Sequence, residues 1–439
     1  MKAGRILVAL LFVVGLVGVF VSGAALYSRF LFLGVALTFA AWLWTYWVAS
    51  GLKLERSSRE LRANVGDVFE ESYKVNNVGV LPAPWIEVLN QTKIPQSAGS
   101  RLLTLVMGHQ RRAYTARTWL TRRGSFQLGP TRLVTGDPFG LFTTQRVFSP
   151  KETLVVFPMI HDIQAFPSPP GLLPGGRVIR TKSQDVTPHA AGVREYVHGD
   201  AMKRIHWPTS ARRNRLMVKE FEQDPQAEIW IYLDCQKTVH AQKAHAQEEV
   251  PLHNMLFTKR PKLNLPPSTL EYSVSIAASL AHYFIRQRRA VGYASAGQTF
   301  TELPADRSDR QEAKILETLA FVEANGNLSI AALVAAQASQ LPQRSSIILI
   351  TPTTRPDLLQ AVDDLLMRFL SPIVVLLDAQ TFGGLGGTDK LVNSLRERRV
   401  PVSVIACDDD LSQSLSAIPS NFNAQDARVW QPPISSPLI

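Results

Sequence analysis

The sequence predicts three structural layers in order: a membrane hairpin, an all-β sandwich, and an α/β unit with a mostly parallel sheet and helices on both faces. Three observations carry this. Two apolar spans open the chain. Short alternating segments separated by Gly and Pro turns follow, and apolar strand-like runs then alternate with amphipathic helical stretches. A chain of 439 residues exceeds one ordinary core, so several units are expected. Lys plus Arg number 47 against 36 Asp plus Glu, a net charge of +11, which favours an anionic partner or a positive-inside membrane bias.

Residues 1–53 read as the hairpin. The apolar stretches 6–26 and 30–49 each reach the roughly 20 residues that a membrane-crossing helix needs. Lys2 and Arg5 flank the first, and Lys53, Arg56, Arg59 and Arg62 follow the second. The positive-inside rule then places the N-terminus and the soluble domains in the cytoplasm, at the plasma (inner) membrane of a bacterium. Arg29 in the outer turn runs against this bias. A cleaved signal peptide is the competing reading, but a second span following at once argues against it. Trp42, Trp44, Tyr46 and Trp47 gather at the inner end of the second span, where amphipathic rings favour the headgroup level.

Residues 54–160 read as the sandwich, with strands expected at Phe69–Asn76, Trp85–Asn90, Arg112–Leu120 and Ser125–Val134. Asp137-Pro138-Phe139-Gly140 has the residue types of a type I turn, and Arg122-Arg123-Gly124 those of a hairpin tip. The stretch 161–192 contains PSPPGLLPGG and reads as a linker.

The unit 193–410 opens with a dense basic segment. Arg194, Lys203, Arg204, Arg212, Arg213, Arg215 and Lys219 are interleaved with Tyr196, His198, His206 and Trp207. Three uses compete for it. His198, Asp200 and His206 offer imidazoles and a carboxylate that could hold a metal or relay protons, the equipment of a metal-dependent hydrolase or nuclease. The Arg cluster could bind anionic lipid or nucleic acid, although no helix-turn-helix, RNA-recognition or zinc pattern accompanies it and no specific nucleic acid is expected. The preferred reading is architectural. Gly199 suits a turn, Asp200 caps a short helix through Met202 or Lys203, and Thr209 or Ser210 caps a second turn through Arg213. His206 and Trp207 then pack against the sheet, and Leu216–Glu222 forms an edge strand beside the first strand of the α/β unit.

Beyond it, strands are expected at Glu228–Asp234, Val291–Ser295, Thr299–Leu303, Ser346–Thr351, Ile373–Asp378 and Val402–Cys407. Helices are expected at Thr269–Arg289, Arg310–Glu323, Pro356–Phe369 and Asp389–Arg398. Ligands of open α/β sheets bind beyond the carboxyl ends of strands, so Asp234, Thr351 and Asp378 mark the candidate face. The insertion Val239–Ser268, with His240, His245, His253 and Lys259-Arg260-Pro261-Lys262, reads as a mobile polar loop. Residues 411–439 have a disordered composition. Cys235 and Cys407 match no zinc or redox spacing.

A strand ending in Asp, a long helix, a hairpin and then helix-strand units is an order that resembles the von Willebrand factor type A fold. That resemblance implies a metal-ion-dependent adhesion site with an Asp-x-Ser-x-Ser motif for Mg2+. Here the motif reads Asp234-Cys235-Gln236-Lys237-Thr238, and Pro352 follows Thr351 where such folds often supply a second Asp. The site is eroded: Asp234, Thr238 and Ser308 are weak metal candidates, and no cofactor is expected. The residues Arg194-Glu195-Tyr196, Gly199-Asp200, Arg204-Ile205-His206-Trp207, Ser210-Ala211-Arg212 and Val218-Lys219-Glu220, with Gly136–Phe142 and the paired spans, resemble the domain of unknown function 58 family. The resemblance implies a membrane-anchored relative of von Willebrand type A proteins. Its expected partners are a MoxR-type AAA+ ATPase and a membrane transglutaminase-like protein. No catalytic residue carries over. The candidate partner-binding residues are Arg194, Tyr196, Gly199, Asp200, Arg204, His206, Trp207, Ser210 and Arg212. The expected function is that of an interaction or scaffold protein in the assembly or maturation of complexes, not of an enzyme.

Overall fold

The structure, a computed structural model, describes residues 2–149, 152–167, 190–197, 202, 205–221, 228–244 and 264–417. The chain divides into two compact units, one running to Met159 and the other starting at Ile160, with Leu319–Phe321 counted in the first.

In the first unit, α1 (Lys2–Ser22) and α2 (Ala25–Gly51) form an antiparallel pair, each long and apolar enough to cross a membrane. The turn falls at Gly23-Ala24, where Gly23 takes φ +61, a left-handed conformation with little penalty for a residue lacking Cβ. Tyr27, Ser28 and Arg29 therefore lie within α2, not in the turn expected between residues 26 and 30. A Cβ on Gly15 would sit 3.1 Å from the Leu31 amide nitrogen, so the missing side chain lets the helices close on each other.

Helix α2 passes into β1 (Leu52–Ser58) with no intervening linker. The strands that follow are β2 (Arg62–Asn64), β3 (Val68–Asn77), β4 (Ala83–Asn90), β5 (Arg101–Val106), β6 (Arg111–Trp119), β7 (Gly124–Gln127), β8 (Thr131–Gly136), β9 (Thr143–Phe148) and β10 (Thr153–Phe157). They make three sheets, ordered β1-β3-β6, β5-β4-β8-β9 and β2-β10-β7. Alternation in β3 buries Phe69, Glu71, Tyr73, Val75 and Asn77, as a half-buried strand requires. Its apolar members Tyr73 and Val75 join Ile86, Val88 and Leu133 in one core, and Val48 and Leu52 carry the end of α2 into that core. The strand expected at Ser125–Val134 is two strands in different sheets, divided at Gly129-Pro130 because proline has no N–H for a ladder.

Inside this core Glu71 is 1 % exposed and pairs with Arg56, whose Nε lies 2.9 Å from Oε1. Arg56 also donates to Asn90 Oδ1 and Thr131 Oγ1, while Tyr73 donates to Glu71 Oε2 at 3.2 Å. Burial, then the Glu71 charge, raise the Tyr73 phenol far above its usual range.

The second unit begins by correcting the linker. Ile163 and Phe166 are buried, Phe166 meets Phe284 edge-on, and the His161 amide donates to Ser279 Oγ at 2.8 Å. The start of 161–192 is thus packed on a helix because its apolar residues outweigh its loop-forming ones. Residues 168–189 lie outside the described residues. Strand β11 (Ala190–Glu195), helix α3 (Trp207–Arg213) and strand β12 (Met217–Phe221) follow, with β11 and β12 paired antiparallel. Then come β13 (Ile229–Leu233), α4 (Thr269–Arg286), β14 (Val291–Ala296), β15 (Phe300–Asp306), α5 (Asp309–Phe321), α6 (Ile330–Gln337), β16 (Ser346–Thr351), α7 (Asp357–Met367), β17 (Ser371–Leu377), α8 (Thr388–Glu397), β18 (Val402–Ile405) and α9 (Leu411–Ser416).

The six-stranded sheet has the order β15-β14-β13-β16-β17-β18. All its pairs are parallel except β14-β15, the mostly parallel arrangement expected. Strands β13 and β16 are buried at every position, as strands covered on both faces must be. Two expectations fail. Strand β12 does not lie beside β13; its ladder is with β11, and the flanks of β13 are taken by β14 and β16. The segment after Asp410 is not wholly disordered in character, since Asp410 caps α9 by accepting from Ser412 N, and Leu411 and Leu415 are buried. Residues 418–439 lie outside the described residues.

Candidate functional site

Two places on the second unit could carry function: the β11-α3-β12 segment and the carboxyl ends of the parallel strands.

The first is built from the basic segment. Its Tyr196 amide donates to Leu216 O at 2.8 Å and its His206 amide to Met217 O at 2.8 Å, so the chain returns on itself around α3. His206, not Thr209 or Ser210, is the cap of α3: its Nδ1 accepts from Thr209 N at 3.3 Å and meets Thr209 Oγ1 at 2.7 Å. An imidazole nitrogen can satisfy an orphan amide just as the usual capping oxygens do. Ser210 is buried and acts as a staple. Its hydroxyl donates to His206 O at 3.0 Å and accepts from Met217 N at 2.8 Å. Asn214 ends the helix in a left-handed conformation, φ 48.

His206 and Ser210 are therefore engaged internally and Ile205, Met217 and Val218 are buried, while other large apolar residues of the segment are exposed. Trp207 is 64 % exposed and Met202 75 %, and Val197 and Leu216 are exposed as well. This overturns the expectation that Trp207 packs against the sheet: at the first position of a capped helix its ring points outward. Arg212 and Arg213 are exposed, and Arg215 pairs with Glu195 at 2.8 Å on the surface. Arg194 sits in β11 opposite Val218. Gly199, Asp200, Arg204 and His198 lie outside the described residues, as do His245, His253 and Lys259–Lys262.

At the second place, Asp234, Thr351 and Asp378 do lie at the ends of the neighbouring strands β13, β16 and β17. Asp234 is 2 % exposed, and both its oxygens are taken: Thr351 Oγ1 donates to Oδ2 at 2.6 Å and Gln236 N to Oδ1 at 2.9 Å. Burial raises its pKa to about 6 against the lowering effect of these two hydrogen bonds. Asp378 accepts from Thr388 Oγ1 at 2.9 Å. His240 joins the Asp234 carbonyl through Nε2 and Thr269 Oγ1 through Nδ1, each at 3.0 Å. A carbonyl only accepts, so Nε2 carries the proton of that bond. Thr269, at the start of α4, also accepts from Ala241 N at 2.9 Å. The insertion thus begins as a fixed loop tied to α4, a role for His240 and Thr269 that sequence spacing gave no signal for.

These residues do not fit a magnesium site. Thr238 is exposed and near Arg355, whose Nη2 lies 3.4 Å from its hydroxyl, and Lys237 is exposed beside it. Ser308 is at the opposite end of the sheet: β15 runs antiparallel, so Asp306 pairs with Val291 at the start of β14, whereas Asp234 follows the end of β13. There it bonds Asp306 Oδ2 at 2.7 Å. Among the described residues no group of three or more His, Cys, Asp or Glu is placed to hold a metal ion.

Comparison with solved structures returns short partial overlaps. The CARDB domain of the PF1109 protein from Pyrococcus furiosus matches 24% of this chain and 91% of that chain at 15% identity, with a TM-score of 0.17. A β-glucosidase from Listeria innocua matches 24% of this chain and 16% of that chain at 12% identity, with a TM-score of 0.15. Such scores carry no argument about this protein. Among curated proteins, the uncharacterized protein YeaD of Bacillus subtilis (strain 168) is 26% identical over 253 residues, 55% of this chain and 55% of that protein. The match thus spans about half the length of that relative. The family model of the protein of unknown function DUF58 matches residues 192–250, which include the last four residues of β11 and all of α3, β12 and β13. The resemblance read from Arg194 to Glu220 is therefore shown, and through this segment the chain matches the family of proteins of unknown function DUF58.

Proposed function

We propose that the chain is a bacterial membrane-anchored interaction protein rather than an enzyme. In this reading α1 and α2 span the inner membrane with both ends cytoplasmic, and the first unit is a β-sandwich on that anchor. The second unit is von Willebrand factor type A-like and docks a protein partner in the assembly or maturation of complexes. The order β13, α4, the β14-β15 hairpin and the later helix-strand units supports the fold assignment. The partner is a MoxR-type AAA+ ATPase.

One observation carries the docking reading. In the β11-α3-β12 segment His206 and Ser210 are engaged in holding the backbone, while Trp207, Met202 and Leu216 are exposed, as are Arg212 and Arg213 of the same segment. Exposed aromatic, Met and arginine side chains in one segment have the composition of an interface, not of a reaction centre. The engaged oxygens of Asp234 support the same conclusion for the sheet's carboxyl edge.

The test is capture of a MoxR-type ATPase by the full chain held in lipid nanodiscs, with ATP and with ADP. Nucleotide-dependent capture supports the proposal. Absence of capture under both conditions sinks the ATPase as partner.

A further inference from the structure

The turn Asp137–Phe142 is placed against the helical hairpin in a way that its role as a strand connection does not require. Leu141 is 7 % exposed and packs with Val8 of α1 and Ala41 of α2. Both partners lie inside the apolar helices. The Phe139 carbonyl occupies the space beside Gly4, where a Cβ would come within van der Waals overlap, so only glycine admits the turn there. Arg5 Nε donates to Leu141 O at 3.0 Å. Phe139 itself is 53 % exposed.

The turn also leaves no amide free. The Asp137 carboxylate, 1 % exposed, accepts from Phe139 N at 2.8 Å and Leu141 N at 3.2 Å through Oδ2, and from Phe142 N at 2.6 Å through Oδ1. Gly140 N donates to Asp137 O at 3.3 Å, and Pro138 has no N–H. Backbone buried against protein is closed in this way, and so are Asx turns in general. The same closure lets the turn sit at membrane depth, where lipid offers no hydrogen bonds.

A second loop repeats the placement. A Cβ on Gly79 would lie 3.9 Å from Trp47 O, and one on Gly51 would lie 2.9 Å from Gly79 N. The β3-β4 loop therefore abuts the last turn of α2, and its Val80 is 80 % exposed. Trp42, Tyr46 and Trp47 of α2 are exposed in the same region, and such rings sit at the headgroup level of a membrane helix.

We propose that the turn 137–142 is a third membrane element, a wedge set at the boundary between headgroups and acyl chains, with the Phe139 ring in contact with phospholipid. This rests on the reading of α1 and α2 as membrane spans. The Asp137 carboxylate neutralises the turn's amides, Leu141 keys it to the hairpin, and Arg5 ties its carbonyl while reaching toward the phosphates.

The experiment uses the full chain in phospholipid vesicles with Cys235 and Cys407 replaced by Ala. A polarity-sensitive fluorophore is attached at Phe139→Cys, at Leu33→Cys within α2, or at Glu60→Cys. Glu60 is exposed just past the far end of β1, roughly 25 Å from α2 along the strand. Quenching is read with lipids carrying a nitroxide near the headgroup or deep in the acyl chain. The proposal expects blue-shifted emission at Phe139→Cys with quenching several-fold above Glu60→Cys, strongest with the shallow nitroxide, while Leu33→Cys responds most to the deep one. If Leu33→Cys is quenched and Phe139→Cys behaves as Glu60→Cys does, the wedge is wrong and the spans stand. If Phe139→Cys is blue-shifted yet unquenched by either lipid, its occupant is protein and the wedge is again wrong. If Leu33→Cys is unquenched, both readings fall.

Discussion

The carboxylate of Asp234 and the hydroxyl of Thr351 lie 2.6 Å apart at the ends of adjacent parallel strands, and both residues are almost completely buried. Gln236 N and Thr351 Oγ1 supply the donors of the Asp234 carboxylate from within the chain. Both oxygens of this buried carboxylate are engaged by the chain itself.

A pH dependence follows. Asp234 titrates at about 6 in the folded chain, against 3.8 for an ordinary Asp, chiefly because burial disfavours its charge. The folded state therefore holds this proton more tightly than the unfolded one. Stability from this group is present below about pH 4 and is lost as pH rises through about 6, by roughly 3 kcal/mol on linkage. Thermal unfolding of the full chain in detergent at pH 4 to 8 should show this slope superimposed on other titrations. Asp234→Asn should flatten it and raise the midpoint above pH 6. An unchanged slope would contradict the assignment.

In the first unit the Arg56–Glu71 pair is sealed in the core with Tyr73. Removing one partner leaves the other charged and buried, so Glu71→Ala should cost about 3–5 kcal/mol. Replacing both together, Arg56→Met with Glu71→Leu, should cost much less. Tyr73→Phe removes only one hydrogen bond and should cost about 1 kcal/mol. Unfolding midpoints of the three variants check this order.

Arg146 on β9 closes the end of α2. Its Nη1 donates to Ala49 O, Ser50 O and Leu52 O at 3.3, 3.1 and 2.8 Å, which places a cation at the negative end of the helix. Arg146→Ala should cost about 1 kcal/mol and speed deuterium exchange near residues 49–55, with little change at the hairpin turn Gly23-Ala24.

His206 acts as a cap, so its chemistry should be replaceable by another capping residue. His206→Ala should destabilise the β11-α3-β12 segment by about 1 kcal/mol, and His206→Asn should recover most of that. Hydrogen exchange at Trp207–Arg213 gives the readout. Failure of Asn to rescue would reopen a chemical role for the imidazole.

Much of the fold was legible because it rests on periodicity. The alternation around Tyr73 marked β3, and the unbroken apolar run Ile347–Ile350 marked a strand buried on both faces. The Asp137-Pro138-Phe139-Gly140 turn was legible from residue type, and its i to i+3 bond is formed. Helix α6 was not: its residues Ile330–Gln337 are nearly all apolar or small, so no polar face marked its period. The partner of β12 was hidden for another reason. Antiparallel pairing with β11 depends on a return through α3, and side-chain charge does not encode which neighbour a strand takes. The site was legible as a segment but not in its roles. Charge density pointed to the arginines, whereas the geometry assigns the backbone work to His206 and Ser210 and leaves Trp207 outward.

The most direct test of the docking account is the affinity of the full chain in nanodiscs for a MoxR-type ATPase, compared between the natural sequence and Trp207→Ala. A measurable affinity that falls about tenfold or more on removing the exposed indole is the predicted result, as for an aromatic at the centre of an interface. Equal affinity for the two proteins, or no binding by the natural sequence, would contradict it.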